Sequence, residues 1–367
     1  MQDNILDLTK ELIKIPSVST DVEQLHAVID RIVSEFASYP SAKIEKIIHN
    51  EKPSLVVKNF DEKRWDICLN GHVDVVPASE QWQWEPSTKD GKLYGRWTVD
   101  MKTAVSVMIF VMKKVLDDDI DKKVSLILTA DEELWWIDGA KHLAELWYGG
   151  NVMLIPDSLW LQDISIAAKG IYSIHIDVHG VAGHSAYPRL ATNAIEKAMS
   201  MYRELKDTIQ ESVELAQDDH RWTSVQLTSL HAGKAHNAIP GSATCIINIR
   251  HTESYSQTLL QNMCKHVIQK YDGEIVKEKY GAMISTPEDH PALQLYKKLS
   301  DKIIWWDLWF SRAHGATDAK HFAEKWAITI LHGLEWAHLH GAGEYVEIDS
   351  IQMLYNLSLQ FVLEYDA

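Results

Sequence analysis

Ile67-Cys68-Leu69-Asn70-Gly71-His72-Val73-Asp74 is the most informative stretch of the chain, because a short apolar run leads directly into a histidine and an acid. Two later stretches repeat this arrangement: Val124–Leu128 precedes Glu132-Glu133, and Val152–Ile155 precedes Asp157. A strand that ends in such a side chain places it at the rim of a sheet, where open α/β folds bind their ligands. The three stretches therefore predict an α/β sheet whose rim collects histidine and carboxylate side chains.

The composition narrows the class of protein. A chain of 367 residues is too long for one ordinary core, so two domains are expected. No apolar run reaches the ~18 residues of a membrane span, and the N-terminus lacks the features of a signal peptide. The net charge of −16 has no offsetting basic cluster, which makes nucleic acid and anionic membranes poor partners. The three widely spaced cysteines favour a reducing compartment, and we expect a cytoplasmic protein.

The pattern of elements changes near Lys169-Gly170. Before it, strands and helices alternate as in α/β proteins. After it, apolar and polar residues alternate over 172–179, which is typical of a half-buried antiparallel strand. We expect a discontinuous catalytic domain, 1–169 and 283–367, with a mixed sheet flanked by helices. The inserted α+β domain, 170–282, is expected to hold a four-stranded antiparallel sheet and two helices. Residues 77–98 are predicted to form a loop.

The acids and histidines match the needs of a two-metal site. Two divalent ions about 3.5–4 Å apart share a carboxylate and activate a bridging water, and imidazole with carboxylate suits zinc. Each residue alone has an ordinary explanation, such as a helix cap for Asp100 or an acidic first helical turn for Glu132-Glu133. Together they offer the full ligand inventory: His72, Asp100, Glu133, Asp157 and either His338 or His340.

Other residues fit supporting roles. Asp74 shares a face with His72 and can accept a hydrogen bond from its second ring nitrogen. Adjacent carboxylates diverge, so one of the pair Glu132-Glu133 can bind metal while the other acts as general base. In the inserted segment, Arg250 can hold a carboxylate and His184 can stabilise an oxyanion, although for each residue alone a surface cation or a turn is the better explanation.

In this order, the motifs resemble those of the di-zinc peptidase and deacylase family that includes succinyl-diaminopimelate desuccinylase, acetylornithine deacetylase, aminoacylase and glutamate carboxypeptidase. The resemblance spans nearly the whole chain. The stretches that carry it are Gly71–Pro77, Gly95-Arg96, Asp100–Lys102, Asp131–Glu133, Pro156–Ser158, Gly183–Pro188, Asn237–Gly241 and His340 four residues before Glu344.

The resemblance implies a zinc-peptidase-like catalytic domain that holds two divalent ions, with zinc expected and cobalt or manganese as alternatives. It implies Glu132 as general base and Asp74 as the residue that orients His72, and it favours His340 over His338. The inserted segment becomes a lid that mediates homodimerisation and carries the substrate-binding side chains. The implied ligands are His72, Asp100 as the bridge, Glu133, Asp157 and His340, and the implied lid residues are His184, Asn237 and Arg250.

Tryptophan stands at several positions where the family usually has a small residue. Trp97 occupies the place of a glycine, Trp135-Trp136 follow the paired glutamates, and Trp336 precedes the last ligand. The chain holds 17 glycines and 14 tryptophans, a pattern that suggests exchange of glycine for tryptophan at turns. Where a turn needs a positive φ, a bulky residue is strained by about 1–3 kcal/mol. We therefore expect these residues to disturb the site.

Three functions remain open. The first is a metal-dependent amidohydrolase that acts on an N-acyl amino acid or small peptide with a free carboxylate. The second is an inactive relative that binds metal or ligand without turnover, as the tryptophans near the site suggest. The third is a dipeptidase or aminopeptidase that requires a free α-amine. Lys320 and His321 are candidates to line the substrate pocket.

Overall fold

The computed structural model describes residues 1–77, 85–134, 136–157, 160–210, 222–304, 306 and 308–366. The chain divides into two compact units. The first comprises Met1–Ala167, Ile284–Arg312 and Thr317–Ala367, and is therefore built from both ends of the sequence. The second comprises Ala168–Met283 and Ala313–Ala316. Every helix among the described residues is too short or too polar to cross a membrane.

Both units combine helices with strands. The helices are α1 (Gln2–Ile13), α2 (Val22–Ser34), α3 (Thr103–Asp117), α4 (Ala140–Glu145), α5 (Ala194–Ile209), α6 (Gln257–Lys270), α7 (Pro291–Ile303), α8 (Lys320–Ala323) and α9 (Ile348–Glu364). The strands are β1 (Lys43–His49), β2 (Lys52–Lys58), β3 (Arg64–His72), β4 (Ser87–Lys89), β5 (Lys92–Tyr94), β6 (Val124–Thr129), β7 (Gly149–Ile155), β8 (Asp163–Ala168), β9 (Gly170–His179), β10 (Gly183–His184), β11 (Ser224–Ala232), β12 (Ala238–Ile239), β13 (Ser242–His251), β14 (Gly273–Gly281), β15 (Ile284–Ser285), β16 (Trp309–Ala313), β17 (Ile328–Leu331), β18 (Trp336–Ala337) and β19 (Tyr345–Glu347).

A mixed sheet forms the centre of the first unit. Its strand order is β1-β2-β6-β3-β7-β17-β8-β15, and β16 pairs with β8. Strands β6, β3, β7 and β17 run parallel, whereas β1, β2 and β8 pair antiparallel with their neighbours. Helices α1, α3, α7 and α9 pack against one another, and α2 packs against β2. The predicted mixed sheet with flanking helices is confirmed.

The parallel pairing gathers the predicted rim residues at one edge of this sheet. His72, the last residue of β3, is in register with Thr129, the last residue of β6. On the other side, β3 runs parallel with β7, which ends at Ile155. The segments that follow β6 and β7, which carry Glu132-Glu133 and Asp157, therefore leave the sheet beside the end of β3.

The second unit is built on an antiparallel sheet of order β11-β13-β9-β14, with α5 and α6 contributing to its core. Its central strand β9 buries Tyr172, Ile174, Ile176 and Val178. These are the apolar positions of the predicted alternation, so one face of the sheet meets the core. The separate α+β architecture with a four-stranded antiparallel sheet is confirmed.

The loop predicted over 77–98 is wrong for Ser87–Tyr94, which form the β4–β5 hairpin. Asp90 and Gly91 connect the strands with φ values of 50° and 75°, as a two-residue hairpin turn requires. Strand β5 also pairs with β19, where Leu93 is the partner of Val346 in a distant part of the chain. A short hairpin whose partner is so distant carries too few apolar residues to be predicted locally.

Candidate metal centre

The carboxylate of Asp100 lies between two imidazoles. Its Oδ1 is 2.9 Å from Nε2 of His72, and its Oδ2 is 3.1 Å from Nε2 of His340. Asp100 has extended backbone angles, and α3 begins only at Thr103, so the carboxylate does not cap that helix. One carboxylate oxygen per histidine is the arrangement that a bridging ligand between two metal ions needs.

Two groups of potential ligands share Asp100. The first adds His72 and Asp157, and the second adds Glu133 and His340; within each group the ligand atoms lie within 4.8 Å of one another. Nε2 of His72 is 3.7 Å from Oδ1 of Asp157, and Nε2 of His340 is 3.8 Å from Oε1 of Glu133. The structure thus brings together all five residues that the resemblance implied as ligands.

His338 lies apart from these groups. Its ring makes an edge contact with Tyr345, with the ring centroids 6.2 Å apart. Both His338 and His340 adopt positive φ values, 62° and 56°. This sharp turn directs the two histidines to different neighbours, a choice that spacing alone left open.

The electrostatics of the cluster fit divalent cations. Burial and the Asp100 charge raise the pKa of Glu133 to about 7, and burial also raises the pKa of Asp157. Oε1 of Glu133 and Oδ1 of Asp157 are buried and accept no hydrogen bond from any residue that the structure describes. Buried acceptors of this kind are rare unless an ion or water satisfies them. The donor set of imidazoles and carboxylates suits zinc or a similar metal.

Asp74 supports both the histidine and the paired glutamates. Nδ1 of His72 is 2.9 Å from the main-chain oxygen of Asp74 and 3.5 Å from its carboxylate Oδ1. The carboxylate accepts hydrogen bonds from the main-chain nitrogens of Glu132 and Glu133 at 3.0 and 3.1 Å, and from Ser19 Oγ at 2.8 Å. The main chain of Asp74 therefore makes the shorter contact with His72, while its carboxylate fixes the turn that carries the glutamates.

Glu132 and Glu133 form a short 3₁₀ turn directly after β6. Burial raises the pKa of Glu132 well above its ordinary value, and the nearby charges of Asp157 and Asp318 add to this effect. Oε1 of Glu132 accepts a hydrogen bond from the indole Nε1 of Trp136 at 2.7 Å. Trp135, which we expected to disturb this turn, lies outside the described residues.

Three further buried acids lie near the centre, and no role was predicted for them. Oδ2 of Asp318 accepts a hydrogen bond from Thr129 Oγ1 at 2.9 Å. Oδ2 of Asp131 accepts one from the main-chain nitrogen of Asp138 at 2.7 Å, and burial raises the pKa of Asp131 to about 7. Oε1 of Glu344 accepts one from the main-chain nitrogen of Val99 at 2.9 Å. The sequence signals for these roles were weak, because each acid was marked only by its place beside a motif residue.

The tryptophans near the centre differ in backbone conformation. Trp97 and Trp136 have φ values of 65° and 62°, in the left-handed region that favours glycine. Trp147, in the turn before β7, has a φ of 67°. Trp336 lies in β18, pairs with Val346 and stacks on Trp160 at a centroid distance of 4.4 Å. The expected strain thus applies to Trp97 and Trp136, whereas Trp336 occupies ordinary strand backbone.

The predicted lid residues all lie in the second unit. His184 and Asn237 are neighbours, because β10 pairs with β12 and the main-chain nitrogen of Ser185 donates to the Asn237 oxygen at 3.0 Å. Nδ1 of His184 accepts a hydrogen bond from the Ala186 nitrogen at 3.1 Å. Arg250 lies on β13, where its Nε donates to Oδ1 of Asn248 at 3.2 Å.

A mixed α/β sheet with two ligand groups that share one carboxylate at its rim defines a metal-dependent hydrolase. The chain belongs to peptidase family M20/M25/M40, whose model matches residues 68–364. This match covers most of both units and confirms the family resemblance of the sequence motifs.

Curated relatives align over nearly the full chain. Succinyl-diaminopimelate desuccinylase of Sulfurovum sp. (strain NBC37-1) is 26% identical over 96% of this chain and 97% of that protein. The enzyme of the same name from Rickettsia felis is 25% identical over 98% of this chain and 99% of that protein.

Solved structures share the fold. An M20 family metallo-carboxypeptidase from Sulfolobus solfataricus superposes with a TM-score of 0.84 at 14% identity, over 98% of this chain and 99% of that chain. A tripeptidase from Staphylococcus aureus gives a TM-score of 0.78 at 16% identity, over 99% of this chain and 98% of that chain. At this level of identity the likeness establishes the fold alone.

Proposed function

We propose that the protein hydrolyses the amide bond of an N-acyl amino acid with a free carboxylate. The observation that carries the proposal is the Asp100 carboxylate, which presents one oxygen to His72 and the other to His340. The names of the relatives, which are desuccinylases that align over nearly their whole length, support an acyl amino acid as the substrate.

We infer a site for two divalent ions, with zinc as the first choice and cobalt or manganese as alternatives. His72, Asp100 and Asp157 would hold one ion, and Asp100, Glu133 and His340 the other. When bound, such ions lower the pKa of water and polarise a carbonyl group. The raised pKa of Glu132 suits it to take a proton from the attacking water and pass it to the leaving amine.

The remaining roles are proposals for the second unit. Arg250 and Asn237 would bind the carboxylate of the substrate and His184 would stabilise the oxyanion, because each offers the required donor. We further propose that residues 170–282 act as a lid and mediate a homodimer. A cytoplasmic location is supported by Cys68, Cys245 and Cys264, which are all buried free thiols.

The test is a substrate panel with the metal-loaded protein. N-succinyl and N-acetyl amino acids and dipeptides are incubated with the parent, with Glu132→Ala and with the control Glu23→Ala, which lies on α2. Loss of a general base is expected to lower kcat by about 10²–10⁴-fold, and Glu23→Ala is expected to match the parent. Near-normal turnover by Glu132→Ala would contradict the assignment of the base.

Two alternatives give different results in the same panel. A dipeptidase or aminopeptidase would cleave only substrates with a free α-amine, so cleavage of an N-acyl substrate argues against it. A catalytically impaired relative would bind metal, measured by native mass spectrometry, without turnover of any substrate. The hydrogen bond from Trp136 to Glu132 specifically favours this second alternative.

A further inference from the structure

Trp136 adopts a backbone conformation suited to glycine. Its φ is 62°, and its main chain is hydrogen-bonded on both sides. The Trp136 nitrogen donates to the main-chain oxygen of Asp131 at 3.0 Å, and the Trp136 oxygen accepts from the main-chain nitrogen of Lys141 at 3.0 Å. Asparagine and aspartate tolerate this region because their short side chains hydrogen-bond to the nearby main chain, whereas a bulky indole is unfavourable there. The turn itself therefore imposes a conformation for which glycine is the natural residue.

The side chain of Trp136 reaches two functional candidates. Its Nε1 donates to Oε1 of Glu132 at 2.7 Å, and the Nζ of Lys320 lies 2.9 Å from the centroid of its ring. Cation–π contacts extend to about 6 Å, so Lys320 lies within contact distance of the face of the indole. Trp136 is only 8% exposed and Lys320 only 1%. The indole thus fills the space between the proposed base and the buried amine of Lys320.

We propose that Trp136 occupies a glycine position and that its indole obstructs the hydrolytic site between Glu132 and Lys320. This inference rests on the proposed function, because Glu132 is the proposed base. The indole N–H donates to one of the two Glu132 carboxylate oxygens and so takes up part of their capacity to accept a proton from water. The ring also covers the amine of Lys320, which we expect to bind an anionic group of the substrate once the ring is removed. Removing the side chain opens both groups.

The test separates the indole, its N–H and the backbone strain. Trp136→Gly removes all three. Trp136→Ala removes the indole but keeps a side chain at positive φ. Trp136→Phe keeps an aromatic ring and removes the N–H. Trp147→Gly is the matched control, since Trp147 has a φ of 67° but is 56% exposed and stacks on Trp326. Acylation of Lys320 by a small amine-reactive ester is followed by peptide mass spectrometry, beside hydrolysis of N-acyl amino acids.

Trp136→Gly and Trp136→Ala are expected to raise the rate of Lys320 acylation by about tenfold, while Trp136→Phe and Trp147→Gly leave it unchanged. The hydrolysis rate is expected to rise in the first two variants. Unchanged Lys320 acylation in variants that still unfold cooperatively would overturn the proposal. If both variants fail to fold, the parent protein gives the test. The proposal would be overturned if Lys320 of the parent is acylated as fast as the exposed Lys14. Altered labelling without hydrolysis by any variant would instead refute the proposed function.

A second inference concerns the origin of these residues. Three separate turns, at Trp97, Trp136 and Trp147, place tryptophan at positive φ. The chain holds 17 glycines in 367 residues, which is about 5%. The usual share of glycine in proteins is about 7%. A bulky residue is unfavourable at each of these turns, so three independent substitutions to the same residue type are not expected. We infer that these tryptophans correspond to the codon UGA, which different genetic codes read as tryptophan or glycine, and that the source cell inserts glycine. The obstruction by Trp136 then applies to the tryptophan-containing chain, and the protein of the source cell is free of it.

The gene and the endogenous protein test this inference. Trp65 serves as the control, because it lies in β3, is 2% exposed and packs against Phe60 and Tyr148 as a core residue. We expect UGA at positions 97, 136 and 147 and UGG at position 65. Peptide mass spectrometry of the protein from its source cell is expected to show glycine at the three turns and tryptophan at position 65. UGG codons at the turns, or tryptophan in the endogenous peptides, would overturn it.

Discussion

Oδ1 of Asp74 accepts a hydrogen bond from the main-chain nitrogen of Glu132 at 3.0 Å. Its other oxygen accepts from the Glu133 nitrogen at 3.1 Å and from Ser19 Oγ at 2.8 Å. Asp74 is fully buried, so the carboxylate acts as a fixed acceptor that sets the position of the proposed base relative to the end of β3. The turn after β6 is therefore tied to the histidine strand by a side chain that belongs to neither group of potential ligands.

We predict that Asp74→Asn lowers metal affinity and kcat/KM by about 10–100-fold, the usual effect of losing an outer-shell partner. The amide would present a donor to the main-chain N–H groups of the Glu132-Glu133 turn. Ser19→Ala, which removes a single hydrogen bond to the same carboxylate, is expected to have a smaller effect. Zinc titration and steady-state kinetics measure both. Equal effects of the two variants would contradict a role for Asp74 in holding the turn.

Removal of metal is expected to destabilise the protein. The centre concentrates buried carboxylates, and a ligand that binds only the folded state adds about 2.7 kcal/mol when present at 100 times its Kd. A chelator should therefore lower Tm, and added zinc should restore it. In Asp100→Asn, which disrupts the carboxylate shared by both ligand groups, zinc should raise Tm much less. Scanning calorimetry with and without zinc measures this effect. An increase in Tm on adding zinc that is as large in Asp100→Asn as in the parent would contradict the bridging role.

Much of the fold and of the centre was predictable because both depend on local patterns. The alternation over 172–179 and the apolar runs before His72, Glu132 and Asp157 follow directly from strand geometry, since parallel strands end at the same edge. Features that depend on distant partners were not predictable. The β4–β5 hairpin needs β19, and the hydrogen bond of Asp318 to Thr129 joins residues 189 positions apart.

The assignment of Asp100 shows why single residues mislead. Its position before α3 suggests a helix cap, yet its carboxylate contacts the imidazoles of His72 and His340. His340 is 240 residues away in the sequence. The turn at His338-Leu339-His340 gave no local preference between its histidines. Only the combined motif order favoured His340, and the structure places it, not His338, beside Asp100.

The buried His332 predicts a pH dependence of stability. Nε2 lies 2.8 Å from the Leu161 oxygen and Nδ1 lies 3.0 Å from the Tyr296 hydroxyl, a pattern that suits the neutral ring. Burial lowers the pKa of His332 to about 4, against 6.5 for an ordinary histidine. Between pH ~4 and ~6.5, His332 is protonated in the unfolded chain and neutral in the folded chain. Stability from this group is therefore full above pH ~6.5 and falls by about 3 kcal/mol as the pH drops to ~4.

Urea unfolding of the metal-free protein at several pH values tests the His332 prediction. His332→Leu is expected to lose this part of the pH dependence, whereas Tyr296→Phe is expected to keep most of it and to cost about 1 kcal/mol for the lost hydrogen bond. An identical slope of stability against pH in His332→Leu and the parent would show that other groups control the acid transition.

Trp147→Gly is expected to stabilise the protein. Trp147 has a φ of 67°, for which a bulky residue costs about 1–3 kcal/mol. Its side chain is 56% exposed, so the packing lost is mainly the stack on Trp326 at a centroid distance of 5.2 Å, worth about 0.5–1.5 kcal/mol. At the midpoints of these two ranges the relief of strain exceeds the lost contact, and we expect a net gain of about 1 kcal/mol. Trp147→Ala loses the stack and keeps a side chain at positive φ, so it should not share the gain. Denaturant unfolding of both variants measures the difference, and a gain in Trp147→Ala as large as in Trp147→Gly would mean that the backbone conformation is not the cause.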